Sequence, residues 1–354
     1  MASPIYIDDR VAVSPMPSQS DIEYLATRFR LVVVLVEDHE LVYPLELWTR
    51  YGATYIHIPV KDFRAPDIPS LHSVVKTIAR FIDESSGDVL IHCFGGKGRS
   101  GTVAAAYLVY RYGLDGSRAI EEVRKRVWGA IQTRDQELVV EVYSQILREL
   151  SSDILDKVIA LGDRYSWGWR KAPHIGRRHA TAVTVLSIRL FNMLENILKL
   201  SRASLRPLAI ASLLHDIGRA IGEPHNEYSY SAILESQELS DIDRETLELA
   251  ALIALHHRAE SNPKKDRRCE RYLDKVLPLA ALIRVADGLD YRLRWRVVDI
   301  YTHIMDRELV VRALCRNECG VEIEKAKEKS QLLSEVLGKS VRIECQPSVS
   351  LSMI

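Results

Sequence analysis

The sequence is short of several things. It has no net charge, because 48 basic residues balance 48 acidic ones over 354 positions, and this removes the basis for general nucleic-acid binding. It has no apolar run of membrane-spanning length, and residues 1–20 lack the basic start and apolar centre of a secretory signal. A cytoplasmic protein with no membrane partner is expected. Its five cysteines, at 93, 269, 315, 319 and 345, form no dense framework and fit a reducing compartment where a reactive thiolate survives. Cys315 and Cys319 are too few for a zinc site on their own. Internal repeats and low-complexity tracts are absent too. The length exceeds that of one hydrophobic core and predicts two domains, with room for a small appendage.

What is present divides the chain by texture. Short β-branched runs, Ile5 to Ile7, Val11 to Val13, Leu31 to Val36, Tyr55 to Pro59 and Val89 to Ile91, read as strands. Asp21 is expected to cap a helix from Ile22 to Phe29. Further helical patterns lie around Leu71 to Ile82, Thr102 to Tyr112, Ser117 to Arg126 and Arg134 to Leu150. That alternation predicts an α/β domain over residues 1–150, a largely parallel sheet flanked by helices. Residues 151–290 carry long helical patterns with no comparable strand, so an all-α domain is expected, with His179 opening one helix. Residues 291–354 mix strands with helical text and predict a small α+β extension.

One run stands out: His92-Cys93-Phe94-Gly95-Gly96-Lys97-Gly98-Arg99-Ser100-Gly101-Thr102. A strand ending at His92, a tight turn and a helix beginning near Ser100 would aim a row of backbone N–H groups inward, a cradle for a dianionic phosphate. The cradle is built from Phe94, Gly95, Gly96, Lys97 and Gly98. Arg99 can grip two phosphate oxygens, and the same positive field favours the thiolate of Cys93, which can attack phosphorus in line. No Gly-Lys-Ser or Gly-Lys-Thr follows at Walker-loop spacing, so a nucleotide-triphosphate loop is excluded.

The pattern His-Cys, five residues, Arg and then Ser resembles the signature of the cysteine-dependent protein tyrosine phosphatases, of the compact dual-specificity type. Ser14-Pro15 and the run from Leu31 to Glu40 add to the resemblance. It implies that Ser100 hydrogen-bonds the leaving thiolate, that His92 orients the loop, and that an upstream aspartate protonates the departing oxygen. Asp62 fits that role best and Asp67, directly after Pro66, is its rival. No metal is needed for this half. Its substrate is expected to be a phosphorylated protein or a small phosphorylated metabolite.

A second set of residues suits metals: His179, the pair His215-Asp216, His225, His256-His257 and Asp287. Imidazole and carboxylate ligands serve Mn, Fe, Ni, Zn or Mg. His215-Asp216 ends an apolar run, where two ionisable groups are costly to bury unless paired or bound to a cation. A distant His, a His-Asp pair and a distant Asp resemble the HD superfamily of metal-dependent phosphohydrolases. The resemblance implies His179, His215, Asp216 and Asp287 as ligands of a divalent metal. His225 and His257 are left to a second metal or to substrate phosphate.

The text around Leu214 to Gly218 and Leu282 to Asp287 also resembles the C-terminal region of the exopolyphosphatase and guanosine-pentaphosphate phosphatase family. That family's usual N-terminal domain is missing. The HD half is therefore expected to hydrolyse a nucleotide or related phosphate, or, as the alternative, to bind a nucleotide or polyphosphate without cleaving it. A homodimer is compatible with the resemblance, although no residue specifies one.

Overall fold

A computed structural model describes residues 3–347. The chain forms two compact units, residues 1–147 and 148–354. In the first, β1 (Ile5–Tyr6), β2 (Val11–Ser14), β3 (Phe29–Val34), β4 (Thr54–His57) and β5 (Asp88–His92) make one sheet in the order β1-β2-β5-β3-β4. Only β1 runs antiparallel to its neighbour; the other pairings are parallel. Strand β5 is central, with His92 in register with Ser14 on one side and Val34 on the other.

The apolar strand text meets partners on both faces. Val32, Val34, Ala12 and Leu90 pack with Ile22 and Leu25 of α1 (Gln19–Arg28) and Trp48 of α2 (Glu46–Arg50). The alternate residues Leu31, Val33, Val89 and Ile91 are equally buried and face the opposite way. On that side lie α3 (Ile68–Glu84) and α4 (Gly98–Tyr112), followed in the chain by α5 (Gly116–Arg126) and α6 (Arg134–Arg164). Ser151, at φ 62° and ψ 163°, interrupts α6 where the sequence predicted a break.

Two local expectations are corrected. The N-cap of α1 is Ser18, and Asp21 is its capping-box partner, accepting from the Ser18 backbone N–H at 3.2 Å. Helix α4 starts at Gly98, ahead of Thr102, so Arg99 and Ser100 stand on its first turn.

The second unit is helical first: α7 (Pro173–Leu194), α8 (Leu205–Leu214), α9 (His225–Leu234), α10 (Arg244–Leu255) and α11 (Leu273–Leu289). Helix α7 begins at Pro173, a residue suited to a first turn, and His179 therefore sits inside the helix instead of opening it. The chain ends in a small sheet, β6 (Val297–Ile304), β7 (Glu308–Cys315) and β8 (Ser340–Pro347), with α12 (Gly320–Lys329) and α13 (Gln331–Leu337) between β7 and β8. Strand β6 is antiparallel to β7, and β8 is parallel to it.

Against the expectation of reduced thiols, Cys315 and Cys319 form a disulfide. The end of β7 and the start of α12 face each other across a short turn, with Cα atoms 6.2 Å apart. Among the described residues, no helix is long and apolar enough to cross a membrane.

Candidate active sites

Ligands of parallel sheets bind beyond the carboxyl ends of the strands, and β5 delivers its loop there from the middle of the sheet. The turn from Cys93 to Lys97 leads directly into α4, so the helix N-terminus points its free N–H groups at the same space. Gly96 holds φ at +70°, and a Cβ there would lie 2.4 Å from the Pro15 nitrogen. Glycine is required both by backbone angle and by the close approach of the Ser14-Pro15 strap. The Met16 N–H donates to the Phe94 carbonyl at 3.0 Å and ties that strap to the loop.

Cys93 is buried, and its Sγ lies 3.4 Å from the Ser100 hydroxyl. Arg99 is 1% exposed. Its guanidinium donates to Glu40 through both terminal nitrogens, at 2.6 and 2.8 Å, and to the Val60 carbonyl at 2.8 Å. That fork holds Glu40 below the usual carboxylate range. Sequence reasoning assigned no role to Glu40, because nothing local marks a carboxylate on a short 3₁₀ turn as the partner of an arginine far along the chain.

Asp62 comes to the same place: its Oδ1 is 3.1 Å from Arg99 and its side chain is 54% exposed. Asp67 is instead the N-cap of α3, accepting from the Ser70 N–H at 2.9 Å and its hydroxyl at 3.0 Å. His92 is fully buried at the end of a relay. The Trp48 indole donates to the Tyr43 hydroxyl, which lies 2.6 Å from His92 Nε2, while Nδ1 faces the Cys93 carbonyl. Burial pushes His92 down to about 4, so the ring is neutral at physiological pH. A neutral ring orients the loop without adding charge to it.

The second site lies in the helical unit, where α7, the end of α8, the start of α9, the end of α10 and α11 converge. Four imidazoles are anchored through Nδ1: His179 on Asp290 at 2.9 Å, His215 on the Ser212 carbonyl at 2.9 Å, His225 on Glu223 at 2.9 Å and His257 on the Ala254 carbonyl at 2.7 Å. Their Nε2 atoms all turn to one space, in pairs 3.2 Å apart: His179 with His215, and His225 with His257. An anchored Nδ1–H leaves Nε2 as the ligand atom, the usual arrangement of metal-binding histidines.

Asp216 stands between the two pairs. Its Oδ2 lies 3.6 and 3.8 Å from His179 and His215, and its Oδ1 3.2 and 3.4 Å from His225 and His257. Asp287 Oδ1 completes the first group, 3.2 Å from His179 and 3.8 Å from His215. Buried Oδ1 of Asp216 has no hydrogen-bond donor in good geometry.

The ionisation of the cluster is set by its charged neighbours. Burial opposes charge on Asp216 and Asp287, yet the surrounding histidines, with Arg219 beside Asp216 and Lys329 beside Asp287, hold both well below the usual carboxylate range. Burial alone would lower His179, but hydrogen bonds to Asp287 and Asp290 raise it to about 10. An orphaned carboxylate oxygen among convergent imidazole nitrogens and ionised carboxylates fits a divalent cation, which would take the place of the proton on His179 Nε2. His179, His215, Asp216 and Asp287 form one ligand group, and Asp216, His225 and His257 another. His256 is not brought in: its Nε2 lies 3.2 Å from the Cys269 sulfur. Asp290, Glu223, Arg219 and Lys329 were missed by sequence reasoning. Asp290 and Lys329 reach His179 and Asp287 from far along the chain, while Glu223 and Arg219 are sequence neighbours of His225 and Asp216 that no motif marked.

Comparison with known proteins assigns each half. Residues 8–150 match the family model described as "Swiss Army Knife protein, DSP-PTPase phosphatase domain", and residues 177–292 match that of the HD domain. Tyrosine-protein phosphatase cdcA of Emericella nidulans is 28% identical over 110 residues, and cyclin-dependent kinase inhibitor 3 of Rattus norvegicus is 38% identical over 94. These cover 31% and 26% of this chain, which spans only 18% and 44% of those relatives. The solved structure of Tk-PTP in its active form is 42% identical, with 40% of this chain and 97% of that one covered and a TM-score of 0.40. Residues 8–150 thus form a domain of the dual-specificity-type protein tyrosine phosphatases, which are hydrolases, and residues 177–292 form an HD domain.

Proposed function

We propose that the N-terminal domain hydrolyses phosphomonoesters through a cysteinyl-phosphate intermediate. The observation that carries this is the buried Cys93 sulfur, 3.4 Å from the Ser100 hydroxyl at the mouth of a helix whose first turn bears Arg99. The thiolate attacks phosphorus while the bond to the ester oxygen breaks, and Asp62 gives that oxygen its proton. Asp62 then takes a proton from water, water oxygen attacks phosphorus, and the S–P bond breaks to return the thiolate and release inorganic phosphate. Arg99 and the loop amides stabilise the equatorial oxygens throughout. The 3.1 Å contact of Asp62 with Arg99 supports Asp62 as the acid over Asp67, whose carboxylate is committed to a helix cap.

Phe94 of the loop, Phe63 beside Asp62 and Trp128 over Lys97 are all exposed. An aromatic border of this kind suits a phosphorylated protein segment better than a small polar metabolite. In EDTA, p-nitrophenyl phosphate is expected to be hydrolysed by the wild type and, at least a thousandfold more slowly, by Cys93→Ser. Undiminished turnover by Cys93→Ser would overturn the mechanism. Trp128→Ala should raise KM for phosphopeptides and leave that for p-nitrophenyl phosphate unchanged.

For the HD domain, we propose a metal-dependent phosphohydrolase acting on a nucleotide or related phosphate. His179, His215, Asp216 and Asp287 would hold one divalent cation, and Asp216, His225 and His257 a second. A divalent cation held there supplies a more acidic water and neutralises phosphoryl charge. The protein's part is to fix each imidazole through its Nδ1 anchor and to keep the carboxylates ionised. Asp216→Ala should lose bound metal by elemental analysis together with any nucleotide hydrolysis; retained metal in that variant would sink the assignment.

A further inference from the structure

Helix α12 lies beyond residue 292, where the HD match ends, yet it reaches the metal-ligand cluster. Gly288 makes this possible. A Cβ at that position would stand 2.6 Å from Ala326 Cα, so the backbones of α11 and α12 touch just after Asp287. Buried Glu322 forks Arg292 through two 2.8 Å hydrogen bonds and pins the first turn of α12. Lys329, the last residue of the helix, then lays its ammonium on Asp287 Oδ2. Arg219 does the same for the other carboxylate, donating to Asp216 Oδ2 at 2.7 Å with its guanidinium over Trp169.

The two cations keep 17% and 39% of their side-chain exposure, against 11% and 6% for the carboxylates they touch. They therefore stand on the solvent side of the cluster, where a substrate must enter. Both carboxylates are also ligands in the proposed metal-dependent function of the HD domain, and the role of the two cations rests on that function. Once the carboxylate charge is committed to divalent cations, Lys329 and Arg219 lose their neutralising partners. The ligand class that restores balance is a dianionic phosphoryl group.

We propose that Lys329, together with Arg219, recognises the phosphoryl group of the HD substrate, and that the C-terminal extension delivers this lysine to the site. Lys329 is a specificity residue here: it binds phosphate oxygens and takes no part in bond-making. A neutral substrate would leave both charges unmatched and a singly charged phosphodiester would leave one, so the site favours phosphomonoesters and phosphoanhydrides.

The test uses the full chain loaded with Mn²⁺, with inorganic phosphate as the probe. Broadening of the phosphate ³¹P resonance by bound Mn²⁺ reports the metal site, because the mechanism proposed for the cysteine loop uses no metal. Lys329→Met should raise the phosphate concentration for half-maximal broadening roughly tenfold to hundredfold, the loss of one charge-assisted contact. Its Mn²⁺ content should match the wild type. Lys329→Arg, which keeps the charge, should stay within about threefold of wild type. An unchanged concentration in Lys329→Met with Mn²⁺ bound would overturn the proposal and leave the lysine a counter-ion. A wild type that binds no Mn²⁺ would overturn the metal reading and this proposal together.

Discussion

At the scale of single residues, the least expected finding is Glu40. A buried guanidinium with a bidentate carboxylate partner is strongly destabilised when that partner is removed. Glu40→Ala is expected to cost about 3 kcal/mol in urea unfolding and to lower kcat/KM for p-nitrophenyl phosphate by roughly tenfold or more, as Arg99 loses its fixed orientation. Glu40→Gln, with one acceptor oxygen kept, should fall between. His92 gives a pH signature whose sign is set by burial. Its folded pKa of about 4 lies below the ordinary value of 6.5, so the unfolded chain binds the extra proton in that window. The stability His92 contributes is complete above about pH 6.5 and is lost as pH falls toward 4, by up to about 3 kcal/mol. Hydrogen exchange of the β5 amides between pH 4.5 and 7 measures this, and His92→Asn should flatten the dependence.

At the scale of elements, two junctions depend on a missing side chain. Gly96→Ala adds a Cβ 2.4 Å from the Pro15 nitrogen at a φ of +70°. It should distort the phosphate loop and cut kcat by at least a hundredfold, with the rest of the unit still folded. Gly288→Ala drives a Cβ into the α12 backbone. Overpacking of this kind costs about 1–3 kcal/mol, and faster hydrogen exchange along α12 would locate it. Helix existence was legible in the sequence, because the 3.6-residue periodicity is local. Helix starts were less so: α4 begins at Gly98 and α7 at Pro173, both ahead of the apolar periodicity that announces them. Their first turns carry glycine, arginine and histidine for function or geometry, and apolar spacing does not register such residues.

At the scale of the whole molecule, a phosphatase domain and an HD domain share one chain, and the functions proposed for them have opposite metal requirements. EDTA should leave p-nitrophenyl phosphate hydrolysis within about twofold of its starting value, while lowering the thermal transition of the helical unit by removing a cation that binds only the folded cluster. Loss of both signals, or of neither, would contradict the division of labour. The sequence alone determined the α/β-then-α order, the glycine-rich run from His92 to Thr102 and the imidazole and carboxylate residues at 179, 215, 216 and 287. Strand and helix periods are local, and the loop holds its chemistry in contiguous residues. Tertiary structure alone decided that Glu40 grips Arg99, that Asp62 and not Asp67 lies beside it, that Asp216 stands between two histidine pairs, and that Lys329 reaches Asp287. Each of these depends on where a distant backbone places a side chain, and close packing, not residue order, sets that position.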